Sequence, residues 1–367
     1  MRKAHYAWVD IVKGIAIIAV VLLHIEYAFP DFKWMPIHSL LGNSWHMPVF
    51  MLVAGFFISA DKISRPCSFI KHKFLHLYCR LLYFYIPILL LHNFFIQVGL
   101  YSLDVDYGGR TGYIHIYSML DFLKRLVEVF FFMGREPYAM ALWFVYVLFL
   151  AFVNISIHAY AIHLIRKRIK LNGELVLGII FLTYATCSLF LTNVFSFTIP
   201  RCSNVFTSMW LVYLGYLVYN RFHVTFTNSY IAIASFIVVV GVCINNEEMA
   251  LMTNSYTDIA ELTAVGCGSL YVLSYIAKRI ETSWGGRLLA YIGNKSFWIM
   301  ALHLLSINIV AWVMNQILNT DMPCYILGAS ADNIVILVLL WLAGVFMPMI
   351  LSSLFDVIKI KVFNGKK

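Results

Sequence analysis

Residues 13–24 read KGIAIIAVVLLH, and the class of fold turns on this stretch. Between Lys13 and His24 run ten residues, Gly14 to Leu23, without one polar side chain. Taken from residue 7 to 27, the run reaches the ~20 residues that a helix needs to cross a hydrocarbon core. The rest of the chain has the same character. Of its 367 residues, 62% are hydrophobic and 12% charged, and the mean hydropathy is +0.81. A soluble domain of this length needs far more polar surface, so the apolar excess faces lipid. Apolar runs place spans near 7–27, 42–60, 79–100, 139–161, 173–193, 205–220, 229–246, 258–277, 296–317 and 333–355. The expected fold is all-α, a polytopic membrane protein of about ten transmembrane helices, with 1–367 as a single integral-membrane domain.

Charge sets the expected orientation. The formal charge of +9 raises the question of nucleic acid, but the placement of the bases answers it differently. With both termini in the cytoplasm, all but six of the 27 Lys and Arg residues fall on inside segments, as basic residues of multi-pass proteins do. The exceptions are Lys33, Arg110, Lys124, Arg125, Arg135 and Arg201, and the acidic NNEE at 245–248 also falls outside. The partner so implied is the bilayer, not nucleic acid. Asp10 and Lys13 interrupt what would be the apolar region of a signal peptide, so no cleaved leader is expected. The seven cysteines show no CxxC and no paired spacing, which indicates neither a disulfide framework nor a zinc site.

Two connections are more than links. Residues 61–80, DKISRPCSFIKHKFLHLYCR, mix bases with Phe69, Ile70, Phe74, Leu75 and Leu77, as a cytoplasmic amphipathic segment on the membrane surface does. Residues 101–138 form the longest outer connection, with YGGRTGY (107–113) as a turn and 117–133 as an interfacial helix. No internal repeat, low-complexity tract or appended soluble domain stands out.

On a helix, the eleven steps from Lys13 to His24 turn about 1100°, within about 20° of whole turns, so the two share a face. Asp10 lies about 40° off and joins the same polar stripe. The rise puts Lys13 and His24 roughly 16 Å apart along the axis, the cation near the cytoplasmic boundary and the imidazole toward the outer one. Ionisable groups at such depths face a bundle interior or a wet cavity. Simpler roles exist for each: Asp10 and Lys13 can neutralise one another at i, i+3, and Lys13 can snorkel. Two further histidines strengthen the functional reading. His46 opens the second span beside Pro48, and His303 lies in the ninth, two turns beyond Ser296. Three imidazoles on three helices at comparable depth are most simply accommodated by one wet cavity.

The chain resembles the membrane-bound acyltransferase 3 family, and within it the fucose 4-O-acetylase-like branch. The resemblance rests on WVDIVKGIAIIAVVLLH (8–24), HMPVFMLVAGFF (46–57), FLHLYCRLLYFYIP (74–87), LWFVYVLF (142–149) and YIGNKSFWIMALH (291–303), in family order over nearly the whole chain. The family's first-helix pattern is a basic residue, ten residues and a histidine, with arginine usual at the first place. Here that place is Lys13, which keeps the charge but lacks the bidentate fork. His24 matches the histidine that the family requires. Many O-antigen-modifying relatives carry a glutamate shortly after the tryptophan of the fourth-helix motif, and WFVYVLF has none.

The resemblance implies an O-acyltransferase, an O-acetyltransferase above all, that takes its acyl group from acyl-CoA (acetyl-CoA first) and passes it across the membrane to a hydroxyl of a cell-surface or lipid-linked glycan. It places the chain in the cytoplasmic (inner) membrane of a bacterium; the sequence itself shows no metal-ligand cluster, so no metal is expected. Such transfer needs a base for the hydroxyl proton and donors for the developing oxyanion. His24, with an ordinary imidazole pKa of ~6.5, suits the first task. His46 and His303 are the other catalytic candidates. Trp143, Ser296 and Glu136 are candidates to bind or orient the acceptor, Glu136 also as a carboxylate partner for His24 from another helix. The anionic head of coenzyme A points to Lys71, Lys73 and Arg80, with Lys13 lining the throat, although the same bases also satisfy a purely topological role. A transporter or flippase for a glycan or acylated intermediate is the alternative, but the repeated halves and matched helix breaks expected of one are not found.

Overall fold

The computed structural model describes residues 6–26, 44–103, 107, 111–131, 134–197, 203–245, 249–318 and 334–364, with backbone alone at Glu26, Asn245, Leu318 and 359–364. Arg2, Lys3, Lys33, Arg110, Arg201, Cys202, Cys324, Lys366, Lys367 and residues 246–248 lie outside the described residues, and with them part of the charge pattern above.

The described elements are helices. In order they are α1 (Ala7–Glu26), α2 (His46–Phe56), α3 (Ala60–Ile63), α4 (Pro66–Lys73), a π turn (Phe74–Tyr78), α5 (Cys79–Leu90), α6 (His92–Gln97), α7 (Met119–Phe130) and a 3-10 turn (Pro137–Leu142). After it come α8 (Trp143–Arg166), α9 (Gly173–Phe195), α10 (Ser203–Tyr216), a second π turn (Leu217–Arg221), α11 (Ser229–Asn245), α12 (Ile259–Ile280), α13 (Trp284–Asn294), α14 (Ser296–Leu318) and α15 (Ile334–Asn364). An all-helical chain is what lipid demands, since a helix closes its own backbone hydrogen bonds where water is absent.

Among the described residues, seven stretches are long and apolar enough to cross a membrane: Ala7–Ile25, Pro66–Leu90, Pro137–Arg166, Gly173–Phe195, Ile259–Ile280, Ser296–Ile317 and Ile334–Ile358. The chain is a multi-pass membrane protein. The other three expected spans are helices too, but α2, α10 and α11 have 11, 14 and 17 residues, short of the ~20 that a bilayer core takes. The largest boundary differences fall on the third apolar run, whose spanning stretch also closes at Leu90 where 100 was expected. The helix of the third apolar run begins at Pro66 instead of Cys79, because α4 runs without a break through the π turn into α5.

The helices fall into two compact units. The first comprises residues 1–12, 36–80 and 143–287. Within it α10 packs against α2, α8 and α9, and α12 against α2 and α11. Gly55 of α2 and Gly215 of α10 let these two helices approach closely, for a Cβ at Gly55 would overlap the Val212 carbonyl and one at Gly215 the Leu52 carbonyl. Helices in lipid gain contact area by such close approach of small residues. Trp8, Phe56, Tyr219 and Phe226 form an aromatic cluster, with Phe56 stacked on Tyr219 at 4.6 Å.

The second unit comprises residues 13–35, 81–142 and 288–367. Here α14 packs on α15 and on the 3-10 turn. Gly14 of α1 admits the Leu289 carbonyl of α13, and Gly344 of α15 meets Val21 and Ile307. α7 begins at a capping box, in which the Ser118 hydroxyl accepts from the Asp121 N–H and the Asp121 side chain accepts from the Ser118 N–H. The Ser118 bonds hold the exposed Asp121 carboxyl below its ordinary value of 3.8. The cap is therefore complete above that value and fades as pH falls through the lowered pKa. Met119, Leu120, Leu123, Val127 and Phe130 are exposed along α7.

The glycine contact gives a direct test. Gly55→Ala and Gly215→Ala should each lower stability by about 3 kcal/mol or more, since the obstructing atoms are backbone and cannot turn aside. Gly285→Ala, where nothing lies within 4 Å of the added carbon, should leave the melting temperature of the detergent-solubilised protein the same or slightly higher. Unchanged melting of the first two variants would show that α2 and α10 do not meet at these glycines.

Candidate functional site

The second unit brings two of the expected residues together. His24 sits in the last turns of α1, half-buried, and its Nδ1 lies 2.8 Å from the Val20 carbonyl four residues back. His303 is fully buried in α14, its Nδ1 2.8 Å from the Ile299 carbonyl and 3.2 Å from that of Met300. The imidazoles stand edge to face with centroids 4.8 Å apart, and His303 Nε2 lies 3.4 Å from His24 Nδ1.

These contacts assign the tautomers. A carbonyl only accepts, so a neutral imidazole against it carries its proton on the facing nitrogen. Both rings are therefore Nδ1–H tautomers. His24 Nδ1–H is shared between the Val20 carbonyl and His303 Nε2, and neither hydrogen bond of His24 uses its own Nε2. The result is an imidazole oriented by a second imidazole, with a lone pair remaining on Nε2.

Glu136, immediately before the 3-10 turn, is buried in a different network of the same unit. Its Oε2 lies 3.0 Å from His92 Nδ1 and accepts from the Tyr101 hydroxyl at 3.2 Å, while its N–H donates to the Tyr85 hydroxyl at 3.2 Å. His92 Nε2 meets the His115 carbonyl at 3.0 Å. Because that carbonyl only accepts, Nε2 is protonated, and the Nδ1 contact needs one further proton on His92 or Glu136. The pair thus carries no net charge, which is how a buried ionisable pair avoids a large desolvation cost. Tyr117 stacks on His92 at 3.5 Å with rings 3° from parallel. Burial, and then the nearby Glu136 carboxylate, raise the Tyr101 and Tyr117 phenols well above the ordinary tyrosine value. The sequence reading missed His92. The signal was present, since His92 interrupts an apolar run much as His24 does.

Ser296 is the first residue of α14, half-buried, on the helix that carries His303. Lys13 is half-buried in α1. The remaining candidates belong to the first unit. His46 opens α2 and is buried, with Trp45 edge-on to it. Trp143 opens α8, also buried, perpendicular to Phe144. Asp10 is buried in the first turn of α1. Lys71 and Arg80 are exposed. Lys73 lies over the Phe152 ring at 3.5 Å and near Phe69 at 5.3 Å, a cation–π contact.

A family model described as an acyltransferase domain, that of the acyltransferase 3 family, matches residues 6–357. No curated protein and no solved structure matches the chain. The matched region takes in both units and every residue singled out above, and the chain belongs to the acyltransferase 3 family.

Proposed function

We propose that this protein is a membrane-bound O-acyltransferase, most simply an O-acetyltransferase of the fucose 4-O-acetylase-like branch. It moves an acyl group from acyl-CoA to a hydroxyl of a cell-surface or lipid-linked glycan. The reading includes ten spans, both termini in the cytoplasm and residence in a bacterial inner membrane, in line with the bias of Lys and Arg toward alternate segments. The observation that carries it is the His24–His303 pair, which leaves one ring nitrogen of His24 for chemistry.

In the proposed reaction, His24 Nε2 takes the proton of the acceptor hydroxyl as its oxygen attacks the thioester carbonyl carbon. A C–O bond forms, and the tetrahedral intermediate collapses with cleavage of the C–S bond. The proton then passes from His24 to the departing sulfur, so the products are the ester and free coenzyme A. While His24 holds that proton, its Nδ1–H carries more positive charge and its hydrogen bond to His303 Nε2 strengthens. His303 is thus a positioning residue. His46, Ser296 and Trp143 are proposed to orient the acceptor or polarise the carbonyl. The phosphates of the donor are assigned to Lys71, Lys73 and Arg80, with Lys13 along the path of the pantetheine arm, since Lys and Arg serve phosphate as point charge and fork respectively.

His24→Ala should lower transfer from acetyl-CoA by 10²–10⁴-fold, the range expected when a general base is removed, in protein that elutes and melts like wild type. Unaltered turnover would defeat His24 as the base. His303→Gln keeps an acceptor where Nε2 lies and should retain more kcat than His303→Leu. Equal losses in the two would leave His303 a packing residue.

A second expectation concerns the donor. Replacing Lys71, Lys73 and Arg80 together by glutamine should raise the KM for acetyl-CoA by roughly ten-fold or more, as loss of charge-assisted contacts does. The KM for the acceptor should stay as it was. An unaltered donor KM would return these bases to a topological role.

A further inference from the structure

The second unit contains a cavity of about 350 Å³ that the chemistry above does not use, lined by Thr111, Tyr113, His115, Tyr117, Arg125 and Arg135 among others. We infer that it is a subsite for an oxyanion borne on a sugar, a carboxylate or a phosphate, and hence that the acceptor glycan is anionic near the hydroxyl that is modified. This deepens the reading under Proposed function and rests on it for the word acceptor, though not for the binding itself.

The volume lies within the ~300–1,000 Å³ of small-molecule sites, and the walls are fixed before any ligand arrives. The Asn93 side chain accepts from the Tyr117 N–H at 2.8 Å and donates to the Tyr117 carbonyl at 2.9 Å. The His115 carbonyl is held by His92, and Tyr117 stacks on the same ring. On the far side the capping box sets the start of α7, which presents Arg125. A loop tied down at His115 and again at Tyr117 is a preorganised wall, and a ligand pays little to order it.

The polar groups on these walls define the ligand. Arg125 gives one terminal nitrogen to Glu128 at 2.7 Å, while its Nε–H is buried without a hydrogen-bond partner. A buried guanidinium donor left unsatisfied costs free energy, and an oxyanion is the group that relieves it. Arg135 is exposed and makes no hydrogen bond or ion pair among the described residues. With Arg125 paired to Glu128, and Glu136 held by His92, Arg135 is the cation left without an ionic partner among the described residues that line the cavity. Guanidinium forks match the planar carboxylate and the tetrahedral phosphate. Tyr113, two-thirds exposed, and Tyr117 add aromatic surface for the C–H face of a sugar ring.

Position favours the acceptor over the donor. Arg135 and Glu136 lead directly into the 3-10 turn, which packs on α14, the helix of His303. The exposed apolar residues of α7, on the helix that supplies Arg125, suit an element lying in a headgroup layer. A charged group on a membrane-tethered or surface saccharide would be met at that level.

The test is equilibrium binding to the full-length protein in lipid nanodiscs, with His24→Ala protein so that no turnover intervenes. Three probes are titrated: a uronic-acid trisaccharide, a sugar pyrophosphoryl polyprenol and a neutral trisaccharide of equal size. The expected result is that at least one anionic probe binds roughly ten-fold more tightly than the neutral one, and that Arg135→Gln removes the preference. The arm that shows it names the source as carboxylate or lipid-linked pyrophosphate. Arg125→Gln should act likewise, and Arg135→Gln, at an exposed residue, keeps the test open if the Arg125 variant does not fold. Equal binding of all three probes, or a preference that survives Arg135→Gln, would overturn the subsite whatever the acyl-transfer assay gives. Loss of acyl transfer with the preference intact would instead count against the reaction alone.

Discussion

Inside a bilayer no water takes up a stray N–H, carbonyl or ring nitrogen, and much of this structure follows from that constraint. The backbone answers by staying helical over its long apolar stretches. Side chains answer one at a time: Ser156 donates to the Ile63 carbonyl at 2.7 Å, Asn308 to the Leu304 carbonyl at 2.8 Å, and His303 to Ile299. Each is a polar group turned back on its own helix or on a neighbour. With no hydrophobic force between helices in lipid, tight association has to come from contact, which is why Gly55 faces Gly215 and Gly14 faces α13. The sites of interest are the places where this accounting leaves something over.

How much of this could be read from the sequence depends on what each reading measures. Hydropathy reports where lipid is tolerated, and each of its ten apolar segments contains a helix, seven of them long and apolar enough to cross a membrane among the described residues. It does not report where a helix stops. α2 ends at Phe56 although Ile58 continues the apolar run, and α4 passes through a π turn into α5 although the bases at Lys71 and Lys73 argue for a surface segment. The face of α1 that carries Lys13 and His24 followed from helical geometry. Its pairing with His303, 279 residues away, was visible only as a coincidence of depth. The cavity over Arg125 and Arg135 was not legible at all, because it depends on a loop fastened by Asn93 and His92, and no periodicity encodes such a fastening.

Two histidines of the second unit, His24 and His92, invite comparison, and the difference between them is chemical. His92 has both nitrogens committed, one to the Glu136 carboxylate and one to a backbone carbonyl, with Tyr117 covering its face. A carboxylate partner makes a strong local bond, but here it consumes the ring, and the neutral pair is suited to holding Tyr101, Tyr117 and α6 in place. His24 is oriented by a neutral imidazole instead. That partner is weaker than a carboxylate and brings no net charge into the apolar interior, so the resting state avoids the desolvation cost of an isolated ion. It also leaves Nε2 outside either hydrogen bond. A base must have a lone pair to give as well as a partner to steady it. Of these two rings only His24 meets both conditions, which is the physical ground for proposing it as the base and His92 as part of the scaffold of the same unit.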